Sequence, residues 1–234
     1  EYAQTLAINL DDDYFSAVQN AKLVKNAERY YRIMFSGKAS SWNLRDHHMV
    51  STIADIEQYL STKKGAPAKL IIWAHNSHVG DASFTQQGKG GEVSVGQLMR
   101  SRYPHETFLL GFTTYDGTVT AASEWDGITE RKLVKPALSG SFESLFHELK
   151  IAKFYLLFKD HPKVVKAMPS HYLERAIGVV YLPETERQSH YFYADIARQF
   201  DAVIHIDRTQ AVKPLELLSL AATEDAPETY PSGM

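Results

Sequence analysis

Between Phe15 and Phe35, Ala17, Ala21, Val24, Ala27, Tyr31 and Met34 recur every three to four positions. That spacing predicts one face of an amphipathic helix, and Ser36-Gly37-Lys38 supplies a glycine to stop it. A second helix is expected from Asn43, a candidate N-cap with Asp46 three residues on, through Met49, Ile53, Ile56 and Leu60. Gly65 and Pro67 then end it.

The pattern changes at Lys69-Leu70-Ile71-Ile72-Trp73-Ala74, a short continuous apolar run of the kind found in a strand buried on both faces. Comparable runs stand at Thr107–Phe112, Lys153–Phe158, Ala176–Tyr181 and Ala202–Ile206, with helical patterns at Ser94–Arg102, Phe142–Leu149 and Glu186–Phe200 between them. The last carries a capping box, Thr185-Glu186-Arg187-Gln188, just after Pro183. Strands alternating with helices predict an α/β fold with a mostly parallel sheet flanked by helices. Asp116-Gly117 before Thr118-Val119-Thr120-Ala121 reads as one antiparallel hairpin. The expected organisation is a helical segment over 1–65, an α/β core over 66–220, and a polar, disordered tail over 221–234.

Composition agrees with a folded core: 44% of the 234 residues are hydrophobic and 12% aromatic. A net charge of −3 argues against a nucleic-acid partner, and no apolar run reaches the roughly 20 residues of a spanning helix. There is no cysteine, which excludes disulfides, thiolate ligands and a cysteine nucleophile and fits a cytoplasmic setting. The chain opens on Glu1 rather than Met and enters its first helix at once, so an N-terminal part of a longer protein is expected to be missing.

Candidate chemistry concentrates at His75-Asn76-Ser77-His78-Val79-Gly80-Asp81, directly after the first apolar run. Carboxyl ends of strands line the ligand crevice of open α/β sheets, so His75, His78, Asn76 and Asp81 form the leading site. His75-x-x-His78 also admits a metal reading, with Asp81 as a nearby carboxylate, although it is not a His-Glu-x-x-His helix. Arg45, placed in the first turn of the second helix, is paired either with Asp46 or with an anionic or carbonyl group of a ligand. The glycine-rich stretch within 80–96 is neither a P-loop nor a dinucleotide fingerprint and reads as a mobile loop or a substrate lid. Glu124 and Asp126 flank Trp125 as an acid pair, a substrate-facing edge or a turn. No Gly-x-Ser-x-Gly elbow is present.

Seven blocks occur in order: Ser41-Trp42-Asn43-Leu44-Arg45-Asp46, Trp73 to Asp81, Val95-Gly96-Gln97-Leu98, Phe112 to Val119, Glu124-Trp125-Asp126-Gly127, Pro183 to Phe192, and Phe200 to Asp207. Together they resemble the erythromycin esterase family over roughly 17 to 215. The resemblance implies an α/β fold and cofactor-free, metal-independent ester hydrolysis, with a macrolide lactone as the best-known substrate. It implies a histidine general base in a Gly-Glu-x-x-His-Gly-type segment, which does not occur in these residues. By the same resemblance His75 and His78 polarise the carbonyl or orient substrate, and Arg45 is a pocket arginine. Asn76, Asp81, Asp46, Glu124 and Trp125 are the candidate substrate contacts. Some members of the family are fused to a phosphoribosyltransferase domain.

Overall fold

The protein is described here by a computed structural model covering residues 12–34 and 38–212. The first helix, α1, spans Asp12–Ile33, and the second, α2, spans Lys38–Lys64. They pack on one another through the stacked rings of Phe15 and Tyr59, 4.2 Å apart, and through Lys22 to Asp55 at 2.6 Å. The stripe lies on a helix but stays unburied: Val24 and Tyr31 remain 69% and 46% exposed. Glycine-stop residues Ser36 and Gly37, and the expected tail over 221–234, lie outside the described residues. Asn43 is not an N-cap. It sits inside α2, where its side chain exchanges two hydrogen bonds with the loop at Gly91 and Val93. Arg45 is therefore also past the first turn, and the dipole argument for a ligand beside it falls.

The apolar run Lys69–Ala74 does not form a strand. It has no regular secondary structure and is unpaired, with Ile71 94% and Trp73 85% exposed. Apolar content alone fits a strand, but a ladder also needs backbone pairing on its edges, and no strand among the described residues pairs with this run. The short helix α3 (Asn76–Val79) follows at once, with His75 as its N-cap. Next come a 3₁₀ turn at Ala82–Phe84, α4 (Gln86–Lys89) and α5 (Val95–Arg102), capped by Ser94 as its hydroxyl accepts from Gln97 N.

The remaining chain is a mixture of short strands and helices. It comprises β1 (Leu110–Thr113), β2 (Asp116–Ala121), β3 (Glu130–Val134), α6 (Phe142–His147), β4 (Lys153–Leu157), α7 (Pro162–Ala167) and β5 (Tyr172–Arg175). After these lie α8 (Glu186–Ser189), β6 (Tyr191–Ala194), α9 (Ile196–Gln199), β7 (Ala202–Ile206) and β8 (Arg208–Thr209). The strands form three small sheets, ordered β1-β7-β4, β3-β2-β8 and β5-β6. Only β1–β7 and β2–β8 pair in parallel; β2–β3, β4–β7 and β5–β6 are antiparallel. The fold is thus mixed α/β, and the expectation of a mostly parallel sheet is corrected.

Two further expectations change. The helix read over Glu186–Phe200 breaks into α8, β6 and α9, because Tyr191-Phe192-Tyr193 pairs with β5 and buries Tyr191 and Phe192. Ala176–Tyr181 is not a strand and contributes a single bridge, Ala122 to Val180; the strand lies just upstream as β5. The antiparallel hairpin exists as β2–β3, but Asp116-Gly117 begins β2 and is not its turn. Gly117 is required there: its φ is +133° and a Cβ would lie 2.1 Å from Thr209 O on β8.

The main core gathers Leu109, Phe142, Phe146, Phe158, Phe192, Ile196, Phe200 and Val203 around β7 and α6. A second cluster, Val50, Ile53 and Val95, fastens α2 to α5.

Candidate functional site

His75 and Asn76 stand where the 69–74 run meets α3, beside the carboxyl end of β1. Asn76 ties the two together: its Nδ2 donates to Phe112 O at 2.7 Å and its Oδ1 accepts from Phe112 N at 3.0 Å. A side-chain amide thereby completes what a neighbouring strand's backbone would supply. His75 is held at both nitrogens. Nε2 donates to Ile177 O at 3.0 Å, while Nδ1 accepts from the Ser77 hydroxyl at 2.8 Å and from Ser77 N at 3.2 Å. Its ring surface is open to a concave cavity, and desolvation by the surrounding walls holds its pKa below the usual 6.5.

That cavity, about 1370 Å³, runs between the 67–74 segment and the edge of β1 that β7 does not pair. Ile53, Leu70, Trp73, Met99 and Phe112 contribute its apolar surface; His75, Asn76, Thr113, Thr114, Glu143 and Arg175 contribute polarity.

His78 is built differently. Its Nδ1 donates to both oxygens of the Asp46 carboxylate, at 2.9 and 3.1 Å, and its ring stacks on Trp42 at 4.4 Å and 3°. Asp46 has no solvent exposure, and its Oδ2 also accepts from Val95 N at 3.0 Å. This fixes the imidazole and leaves Nε2 without a partner among the described residues. Trp42 is anchored in turn by its indole N–H on Val93 O. Arg45 lies over the Trp42 ring, 5.3 Å from its centroid, and is exposed. Stacking on Trp42 places it at the outer side of the pair and not among the cavity's lining residues.

The other sequence candidates disperse. Asp81 is buried, caps Ser83 N, and pairs with Arg100 at 3.1 Å. Glu124 and Trp125 sit in the β2–β3 turn, with Trp125 55% exposed. Asp126 holds a φ of 59°, as a turn residue does. The ring nitrogens of His75 and the Nδ1 of His78 are engaged by protein groups. No group of three or more His, Cys, Asp or Glu suited to a metal occurs among the described residues. Nor is any helix among them long and apolar enough to cross a membrane.

Three side chains that the sequence did not single out lie at the cavity's inner side, and two of them, Glu143 and Arg175, line it. Arg175, with its side chain 2% exposed, donates to Lys135 O, Thr114 O, Tyr115 O and the Glu186 carboxylate. Glu143 and Glu174 are both fully buried. The signal available was local: Ser141 before Phe142-Glu143 is a helix start, and Tyr172 to Arg175 is a strand ending in two charges.

The chain matches the family model described as erythromycin esterase over residues 1–209. Among solved structures, it is similar to a protein from Bacillus cereus, with TM-score 0.66 and 17% identity over 86% of this chain and 46% of that one. It is also similar to a succinoglycan biosynthesis protein, with TM-score 0.59 and 22% identity over 89% of this chain and 48% of that one. A third, an erythromycin esterase in its open conformation, aligns at TM-score 0.49 and 16% identity over 77% of this chain and 41% of that one. The chain therefore spans about half the length of the solved structures it matches.

Proposed function

The chain belongs to the erythromycin esterase family, and from that premise we propose that it forms part of the active site of a carboxylic-ester or lactone hydrolase, with macrolides as the leading substrate class. The observation that carries the reading is the Asp46–His78 pair, a buried carboxylate orienting an imidazole whose second nitrogen is uncommitted. The pair does not line the cavity itself, but His78 sits on α3 next to His75 and Asn76, which do. Hydrolysis of an ester needs a water deprotonated near neutral pH and donors for the tetrahedral oxyanion.

In the proposed arrangement a histidine base from a further segment of a longer protein activates the water. His78 binds or polarises the carbonyl through Nε2. His75, whose Nδ1 lone pair is already occupied, holds the α3 turn in place and is not the base. Asn76 fixes that turn to β1. Arg45 serves on the outer rim of the site through Trp42, and Asp81, Glu124 and Trp125 are peripheral to substrate.

A second reading is favoured by the same pair: a carboxylate-oriented imidazole is itself a general-base arrangement, so His78 is the base within this chain. Macrolide and small p-nitrophenyl ester hydrolysis by this chain and by its longer form decides between them. Turnover only by the longer form supports the first reading, and turnover by this chain alone supports the second. Binding of either ligand without turnover in both forms leaves a ligand-binding module and overturns both. Activity lost on chelation and restored by added metal would instead favour a metal-dependent hydrolase.

A further inference from the structure

At the inner side of the cavity, which Glu143 lines, is a carboxyl cluster that the proposed hydrolysis does not use. Glu143 on α6, Glu174 on β5 and Gln199 on α9 are 1%, 0% and 1% exposed. Glu143 Oε1 accepts from Arg175 N at 2.9 Å, and Glu174 Oε1 lies 3.5 Å from Gln199 Nε2. The Asn76 amide also acts on the Glu174 carboxyl. The remaining oxygens, Glu143 Oε2, Glu174 Oε2 and Gln199 Oε1, are buried without a partner among the described residues. Each is a buried acceptor that no donor among the described residues serves.

Charge makes the same point. Arg175 is the buried cation here, and it is already committed to Glu186 at 3.2 Å. Burial pushes the phenols of Tyr181 and Tyr191 up to about 12, and burial lowers the pKa of His190, so these neighbours add no charge near neutral pH. If Glu143, Glu174 and Glu186 were all ionised, three buried carboxylates would face one guanidinium. Uncompensated buried charge is costly enough that a group gives up its ionisation instead.

The hydrogen bonds select which carboxyl keeps its proton. Glu186 has Arg175 and the Tyr181 hydroxyl. Burial raises the pKa of Glu143 too, but Arg175 N, the charge of Arg175 and the Ser141 side chain oppose that rise. Glu174 has only the neutral amides of Gln199 and Asn76.

We propose that Glu174 stands as a neutral carboxylic acid at neutral pH and acts, through Asn76, as a positioning residue for the His75–His78 turn. A proton on Oε2 converts one stranded acceptor into a donor. It also leaves an uncharged group beneath the Asn76 amide, whose other contacts hold the turn to Phe112. Burial and the nearby Glu143 together push Glu174 up to about 8, so its ionisation places a charge under the turn in mildly alkaline solution.

The test is carbon-13 NMR of glutamate side-chain carboxyls in this chain from about pH 5 to about pH 9, a range set by the ordinary and raised carboxyl pKa values. It is read beside the backbone amides of Asn76 and Phe112. One glutamate is expected to titrate near 8 and to vanish in Glu174→Gln. The two amides are expected to titrate with it in the natural chain and to become independent of pH in Glu174→Gln. The proposal is overturned if every glutamate ionises below about pH 6, or if the amides titrate unchanged in the variant. Should the variant fail to fold, the titration of the natural chain still decides. The activity arm rests on the proposed hydrolysis: Glu174→Gln removes the alkaline limb of kcat in the active form. If no ester is hydrolysed, that function fails while the NMR result stands.

Discussion

Asp46 and His78 are 32 residues apart in sequence, yet the fully buried carboxylate receives the imidazole Nδ1–H at 2.9 Å. Two helices meet at this bond, for Asp46 belongs to α2 and His78 to α3, and Val95 N at the start of α5 shares the same carboxylate. The pair therefore fixes ring orientation and joins three elements.

Replacing Asp46 with Asn keeps the shape and an acceptor for Val95 N but weakens the hold on His78. We expect a loss of about 1–3 kcal/mol in urea unfolding, the range for disturbing a buried charged hydrogen bond. In the active form kcat is expected to fall roughly 10- to 100-fold, by analogy with oriented imidazoles elsewhere, with a smaller change in KM. Unaltered kcat would remove His78 from the proposed chemistry.

Arg175→Met strands a buried Glu186 and leaves three carbonyls short of a donor. The expected destabilisation is about 3–5 kcal/mol, as for breaking a buried ion pair from one side. Equilibrium unfolding of the two chains measures it. Arg175→Lys is expected to restore only part, because one ammonium cannot reach four separate acceptors.

Gly96 sits in α5 where a Cβ would lie 2.1 Å from Val79 O in the α3 turn. Gly96→Ala should push that turn away. Loss of about 1–3 kcal/mol is expected from such overpacking, together with shifted imidazole resonances of both His75 and His78. Movement of neither resonance would show that the two helices are not coupled at this contact.

Desolvation lowers the pKa of His75, His190 and His205 in the folded chain. Below the ordinary 6.5 the unfolded chain binds protons that the folded one resists, so stability falls as pH drops from 6.5 towards the folded values. Thermal unfolding of His205→Gln beside the natural chain is expected to show a shallower acid slope in the variant. Glu174 contributes the opposite sign: its raised pKa makes stability decline as pH rises from about 4.5 to about 8.

Local patterns were legible where caps and periodicity agreed. Ser94 starts α5 as its hydroxyl type and position foretell, and the apolar runs at Lys153 and Ala202 become β4 and β7. The His75–Asp81 block was visible as a cluster, though its geometry was not. Asp46 looked like a substrate contact beside Arg45, whereas the fold turns it inward to His78 and leaves Arg45 outside on Trp42. No spacing encodes that rotation, because α2 begins five residues before Asn43 and changes every residue's place in the helix. Glu174 and Arg175 escaped notice because adjacent charges at a strand end ordinarily read as solvent-facing. Both are buried here, on opposite sides of β5, by α6, α8 and α9.

The apolar run ending at Ala74 has a colloidal consequence. Ile71 and Trp73 are presented beside β1, whose backbone is paired on one side by β7 and is held on the other only at Phe112, by the Asn76 amide. An apolar, unpaired run next to a sparsely paired edge is a template for strand addition between molecules. Concentrated samples of this chain should self-associate through that edge, and a lysine in place of Ile71 should keep them dispersed while leaving the Asp46–His78 bond intact.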